Sequence, residues 1–190
     1  MLAPSSERPP HQGGLRPLYF YLIVFLVFAS DQVSKYIIQR TMMFGEYRQV
    51  FGSSFMLTLT QNTGGAWGLL PSGNKLFVVF AAVAIVALLF AYHRVARGDL
   101  LVASAFALAL GGAVGNLLDR LRYGYVVDFF DARIIHWPIF NVADSAISLG
   151  IVLLLVHYLR SMRAESAART AQSAAAAPLT TEDMANKAHD

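Results

Sequence analysis

The chain has 190 residues, enough for one domain; 56% are hydrophobic, only 14% are charged, and the mean hydropathy is +0.49. That balance excludes an ordinary soluble domain and points to a membrane protein. A net charge of +3 suits anionic headgroups and is too small to argue for nucleic acid, and the absence of cysteine excludes disulfide scaffolds, thiolate metal sites and cysteine nucleophiles.

Residues 1–16, rich in Pro, Ser and Gly, predict a disordered tail. About 20 apolar residues cross the hydrocarbon core of a bilayer, and four segments qualify. The first runs from Leu18 to Gln39 and carries Asp31 and Lys35 in its second half. A rival reading makes it a cleavable signal peptide, with Arg8 and Arg16 as its charged region and Val27-Phe28-Ala29 as its cleavage site. The apolar pattern continues through Val33, Tyr36, Ile37 and Ile38, which favours an uncleaved helix. Between Arg40 and Lys75, Phe55, Leu57 and Leu59 alternate with Ser54, Met56, Thr58 and Thr60. A period of two predicts a strand with one apolar face, part of a small sheet on the membrane surface. The second segment, Leu76 to Tyr92, is apolar throughout; the third is Leu100 to Leu118; the fourth, Val142 to Leu159, has Asp144 in its first turn. From residue 164 onward Ala, Ser and Thr dominate, predicting a disordered tail in which alanine permits a little helix. The expected fold is a mostly α membrane protein: one four-helix domain over 17–163, with a small β region between helices 1 and 2.

Basic residues divide almost evenly between the two sides, so charge leaves the orientation open; the short second loop, with Arg94 and Arg97, slightly favours an inside N-terminus. Whatever the orientation, four spans gather the polar residues at one face. Asp31 and Lys35 end helix 1, Asn62 follows in the first loop, and Asn116, Asp119 and Arg120 end helix 3. Asp128 lies in the third loop, and Asn141 and Asp144 open helix 4.

Ionisable groups at membrane depth cost roughly 2.5–3.5 kcal/mol on insertion scales and tend to be paired or functional. Asp144 sits among Phe140, Val142, Ala143, Ala146 and Ile147; its structural role would be a first-turn carboxylate. Asp128 is flanked by Val126-Val127 and Phe129-Phe130, a poor setting for a surface acid, whereas Asp131 reads as a solvated loop acid. Two carboxylates close together in an apolar site share a proton, so one serves as base and the other as acid. Asp31 and Lys35 stand at i and i+4 in the favourable order for an ion pair. Ser34 and Lys35 point about 100° apart on a helix, which speaks against a serine–lysine hydrolase. Gly111 and Gly115 form a small-xxx-small packing face. The five histidines lack metal-ligand spacing and no nucleotide-binding glycine loop is present, so neither metal nor cofactor is expected.

Four blocks, in order, resemble the bacterial lipoprotein signal peptidase (signal peptidase II) family. They are Asp31-Gln32-Val33-Ser34-Lys35, Asn62-Thr63-Gly64, the run GGAVGNLLDRLRYGYVVDF from Gly111 to Phe129, and FNVADS from Phe140 to Ser145. The resemblance implies an aspartic endopeptidase with Asp128 and Asp144 as the catalytic dyad. It implies supporting or substrate-binding roles for Asp31, Lys35, Asn62, Gly64, Gly112, Asn116, Asp119, Arg120, Asn141 and Ala143. The implied substrate is a prolipoprotein carrying diacylglyceryl on a cysteine, cut just before that cysteine. The resemblance also implies the bacterial cytoplasmic membrane, both termini inside, the site at the outer leaflet and the surface strands as a cradle over the substrate. Membrane lipids and this substrate are the expected partners, and the chain is expected to act as a monomer. Gly65-Ala66-Trp67 departs from the Ala-Ala-Phe of many members. A carrier using the same acids as a relay would place charges near the midplane on broken helices, which this pattern lacks.

Overall fold

The computed structural model describes residues 15–64, 73–94 and 99–175. The elements in chain order are α1 (Leu15–Thr41), β1 (Tyr47–Phe51), β2 (Phe55–Asn62), α2 (Asn74–Arg94), α3 (Leu100–Tyr123), β3 (Val126–Asp131), a 3-10 turn (Arg133–Ile135) and α4 (Val142–Ala175). Among the described residues, four helices are long and apolar enough to cross a membrane. The chain divides into two compact units. Met1–Leu154 holds the first three helices, the sheet and the start of α4; Leu155–Asp190 holds the rest of α4.

In the first unit α3 is the central helix. It starts on Asp99, whose carboxylate accepts from the backbone N–H of Leu101 (2.8 Å) and Val102 (3.1 Å). It ends on Gly124, whose φ of 80° requires a residue without a Cβ. Its buried Ala103, Ala105, Ala107 and Ala109 let neighbours approach closely. Gly111 faces Val24 and Val27 of α1, and Gly115 faces the Asp31 carboxylate, so these two glycines form the α1 contact. Gly112 meets α4 at the Ala143 carbonyl. A core of Phe20, Tyr92, Val102, Ala107 and Leu110 joins α1, α2 and α3, with the Phe20 and Tyr92 rings stacked at 3.5 Å.

Gly112→Ala tests the α3–α4 contact. A Cβ there overlaps the Ala143 carbonyl oxygen and lies 2.9 Å from Ile147 Cγ1. Overpacking of this kind costs about 1–3 kcal/mol. Thermal unfolding in detergent should show the loss, and an unchanged midpoint would argue that the helices stand further apart.

The sheet is antiparallel in the order β1-β2-β3. It differs from expectation in three ways. First, Asp128 lies on a strand, β3, rather than in a loop. Val126 to Phe129 are buried on both faces, so no alternation marked them as a strand. Second, the register of β2 against β3 shifts between Leu57 and Thr60, and Met56 and Leu59 are the buried residues in place of a simple odd–even face. Third, Asp131 is buried, not solvated: it pairs with Arg133 Nε at 2.9 Å and accepts from Thr58 Oγ1 at 2.8 Å. Helices also run past their expected ends. α3 continues to Tyr123, which places Asp119 and Arg120 inside it. α4 continues to Ala175, through alanine-rich sequence assigned above to a tail. Residues 1–14 and Gly65-Ala66-Trp67 lie outside the described residues.

Candidate active site

The C-terminal part of α1, the end of α3, β2, β3 and the start of α4 bring the polar residues together. Strand register does the first part of the work. Thr60 stands opposite Asp128 and Asn62 opposite Val126, so Asn62 projects on the same face as Asp128. Asn62 Nδ2 donates to Asp128 Oδ2 at 2.9 Å. The backbone N–H of Gly64 donates to Asn62 Oδ1 (3.2 Å), which turns the amide so that its NH₂ faces the acid.

Asn141 and Asp144 form the start of α4. Asn141 Oδ1 accepts from the Asp144 N–H (2.9 Å), and Asp144 Oδ2 accepts from the Asn141 N–H (3.2 Å). This reciprocal pair is a capping box, so the structural role expected of Asp144 is real. It occupies one carboxylate oxygen. The other, Oδ1, accepts from Asn116 Nδ2 at 2.8 Å. Asn141 Nδ2 donates to Asp128 Oδ1 at 2.7 Å, so one residue caps α4 and holds the other acid.

Asn116 is oriented by charge. Its Oδ1 accepts from Lys35 Nζ (3.0 Å) and Asn141 Nδ2 (3.1 Å). An ammonium only donates, so the amide oxygen must face Lys35 and the NH₂ is left for Asp144. Lys35, 3% exposed, also pairs with Asp31 Oδ2 and Asp119 Oδ2, each at 2.8 Å. The predicted Asp31–Lys35 pair is thus a triad with Asp119. Asp31 Oδ1 accepts from the Ala143 N–H (2.9 Å) and Asp119 Oδ2 from the Val127 N–H (3.2 Å).

Asp128 is 1% exposed. Burial, and then the negative charge of Asp144, push its carboxyl up to about 7; hydrogen bonds from Asn62 and Asn141 and the charge of Lys35 pull the other way. Asp144 opens onto a cavity of about 210 Å³ lined also by Asn62, Asn116, Arg120, Phe140 and Trp137. A mostly apolar cavity of about 340 Å³ adjoins Asp144 on the side of Ile135, Phe140 and Ser148. The Arg120 guanidinium lies over the Phe77 ring at 4.5 Å, and its buried Nη1 has no hydrogen-bond partner among the described residues.

All twelve residues singled out from the sequence lie in or against this network, Gly112 and Ala143 through the backbone contact already described. Three contributors were not singled out. Gln32 bridges two carboxylates, and Phe140 and Trp137 wall the cavity. Gln32 stands in the run from Asp31 to Lys35, but its role depends on where α3 passes, and the cavity walls depend on the turn after β3.

Comparison with known proteins gives the family. The family model "Signal peptidase (SPase) II" matches residues 23–160. The chain is 46% identical to the lipoprotein signal peptidase of Moorella thermoacetica over 135 residues, covering 71% of this chain and 89% of that protein. It is 34% identical to that of Bacillus subtilis over 144 residues, covering 75% and 94%. A solved bacterial membrane enzyme, determined by the in meso method at 2.3 Å, superposes with a TM-score of 0.72 at 35% identity, covering 76% of this chain and 89% of that one. Four apolar spans, a small antiparallel sheet, two carboxylates in one asparagine network and these relatives together place the chain in the signal peptidase II family of membrane proteases.

Proposed function

We propose that Asp128 and Asp144 form the aspartic dyad of this protease, and that it cuts diacylglyceryl-modified prolipoproteins just before the modified cysteine. The supporting observation is the shared network: Asn141 donates to Asp128, Asn116 donates to Asp144, the two amides are bonded to each other, and Asn116 and Asp144 line one cavity. The proposed location is the bacterial cytoplasmic membrane, with both termini inside and the site facing the outer leaflet. There the substrate's acyl chains stay in the bilayer while its peptide enters the cavity.

The two acids are not equivalent. Asp144 lines the cavity, receives Asn116 and sits at the positive end of α4, so it holds negative charge and acts as the base. Asp128 is buried and keeps the proton. Asp144 takes a proton from water as the water oxygen bonds to the scissile carbonyl carbon. Asp128 gives its proton to the carbonyl oxygen, forming a neutral tetrahedral diol. The carbonyl re-forms as the C–N bond breaks: one diol hydroxyl returns its proton to Asp128, and the proton on Asp144 passes to the departing amine. The products are a signal peptide ending in a carboxylate and a lipoprotein with a free amine on its cysteine. Arg120 lines the cavity, and in this reading its guanidinium holds a substrate carbonyl there.

Purified protein with a lipid-modified prolipoprotein tests the activity, mass spectrometry locating the cut at the modified cysteine. The same assay tests the proton assignment. With Asp128 pushed up to about 7, kcat/KM should fall as pH rises through that value, because the acid loses its proton. A rate that stays flat from about pH 6 to about pH 9 would show that the required acid is some other group.

A further inference from the structure

Asp31 and Asp119 occupy matching positions behind the proposed dyad. Asp31 Oδ1 holds the N–H of Ala143, the residue before Asp144, and Asp119 Oδ2 holds the N–H of Val127, the residue before Asp128. Lys35 joins the two outer acids through Oδ2 of each. This leaves Asp119 Oδ1, buried with its residue 1% exposed. Its donor among the described residues is Gln32 Nε2, at 3.1 Å. The same Nε2 donates to Asp31 Oδ2, also at 3.1 Å, while the Gly115 carbonyl lies further off at 3.4 Å.

A carboxylate turns about its Cβ–Cγ bond. The Lys35 ammonium is a point charge on a flexible stem and contacts one oxygen of each acid, so it sets distance and not orientation. A planar NH₂ group with two hydrogens can join both acids at once. It brings no charge to a cluster that already holds two carboxylates against one ammonium. We propose that Gln32 is a positioning residue: by bridging Asp31 and Asp119 it fixes the two backbone grips and hence the separation of Asp128 and Asp144. The proposal rests on the dyad reading above.

The test uses the full-length chain in phospholipid nanodiscs with a lipid-modified prolipoprotein. Gln32→Met keeps length and removes both donors. Misplacement by about 1 Å costs up to about 100-fold, so kcat should fall about 10- to 100-fold with KM within about two-fold. Gln32→Glu is the second variant. Its protonated form donates one hydrogen, and its ionised form adds a third carboxylate beside Lys35. Its kcat relative to Gln32→Met should therefore climb as pH falls. Wild-type kcat and pH profile in Gln32→Met would reduce Gln32 to packing and overturn the proposal. A Glu-to-Met ratio independent of pH would overturn it too. If Gln32→Met does not fold, the Glu variant is read against wild type, and the same rise or its absence decides. Normal cleavage by Asp128→Asn would instead sink the dyad reading, whatever Gln32 does.

Discussion

Asp128→Asn and Asp144→Asn should each lower kcat on a lipid-modified prolipoprotein by at least about 10²–10⁴-fold, the usual loss when a general acid or base is removed. Both variants should still fold. Asp144→Asn keeps an oxygen for the Asn141 N–H, so α4 remains capped. Its new NH₂ meets Asn116 Nδ2, which cannot turn away because Lys35 holds the Asn116 oxygen. The site is then left without a proton acceptor. Asp128→Asn meets donors on both sides, from Asn62 and Asn141, and one of these bonds is lost. A buried polar group left unpaired costs about 1–3 kcal/mol. Against that, the variant loses a group that is costly to ionise.

The balance for Asp128→Asn depends on pH, with a sign fixed by linkage. The folded chain keeps the Asp128 proton up to about 7, whereas the unfolded chain releases it near the ordinary value of 3.8. Between those values the folded state binds more protons, so rising pH removes wild-type stability and leaves the Asn variant unaffected. The unfolding midpoint of Asp128→Asn should therefore rise relative to wild type across this window and level off above it. Asp131→Asn is the control. Asp131 pairs with Arg133 and Thr58 outside the network, so its kcat should match wild type. Normal turnover by either dyad variant would remove that residue from the mechanism.

Lys35→Met should be the most destabilising single change in the site. Two buried carboxylates, Asp31 and Asp119, lose their shared cation together. Breaking a buried pair by removing one partner costs about 3–5 kcal/mol, because the other charge stays uncompensated. Unfolding in detergent micelles at neutral pH should show a loss of that size. Activity should fall as well, since the Asn116 oxygen then keeps only its bond from Asn141 and the amide is held less firmly against Asp144. Adding Asp119→Asn removes one stranded charge, so the double variant should be more stable than Lys35→Met alone. Residues in direct contact typically couple by about 0.5–3 kcal/mol, and a double-mutant cycle reads this value. A Lys35→Met protein as stable as wild type would mean that the triad is not a buried charge cluster.

Hydropathy and motif order determined much of this protein from sequence alone: four apolar spans, a polar cluster at one end of them, and the family. The reason is physical. A bilayer admits only long apolar helices, so span length and charge position are legible in one dimension. The Asp31–Lys35 pair was legible because four residues make one helical turn. Only the tertiary structure could place Asp128 on a strand, because a strand buried on both faces shows no alternation. The same holds for Gln32, Asn116 and Asn141. Their partners lie on other helices or strands, and which amide reaches which acid depends on strand register, the α3 glycines and the capping of α4. The difference between a buried Asp128 and a cavity-facing Asp144 is likewise a property of packing, and it sets apart the acid and the base in the proposed mechanism.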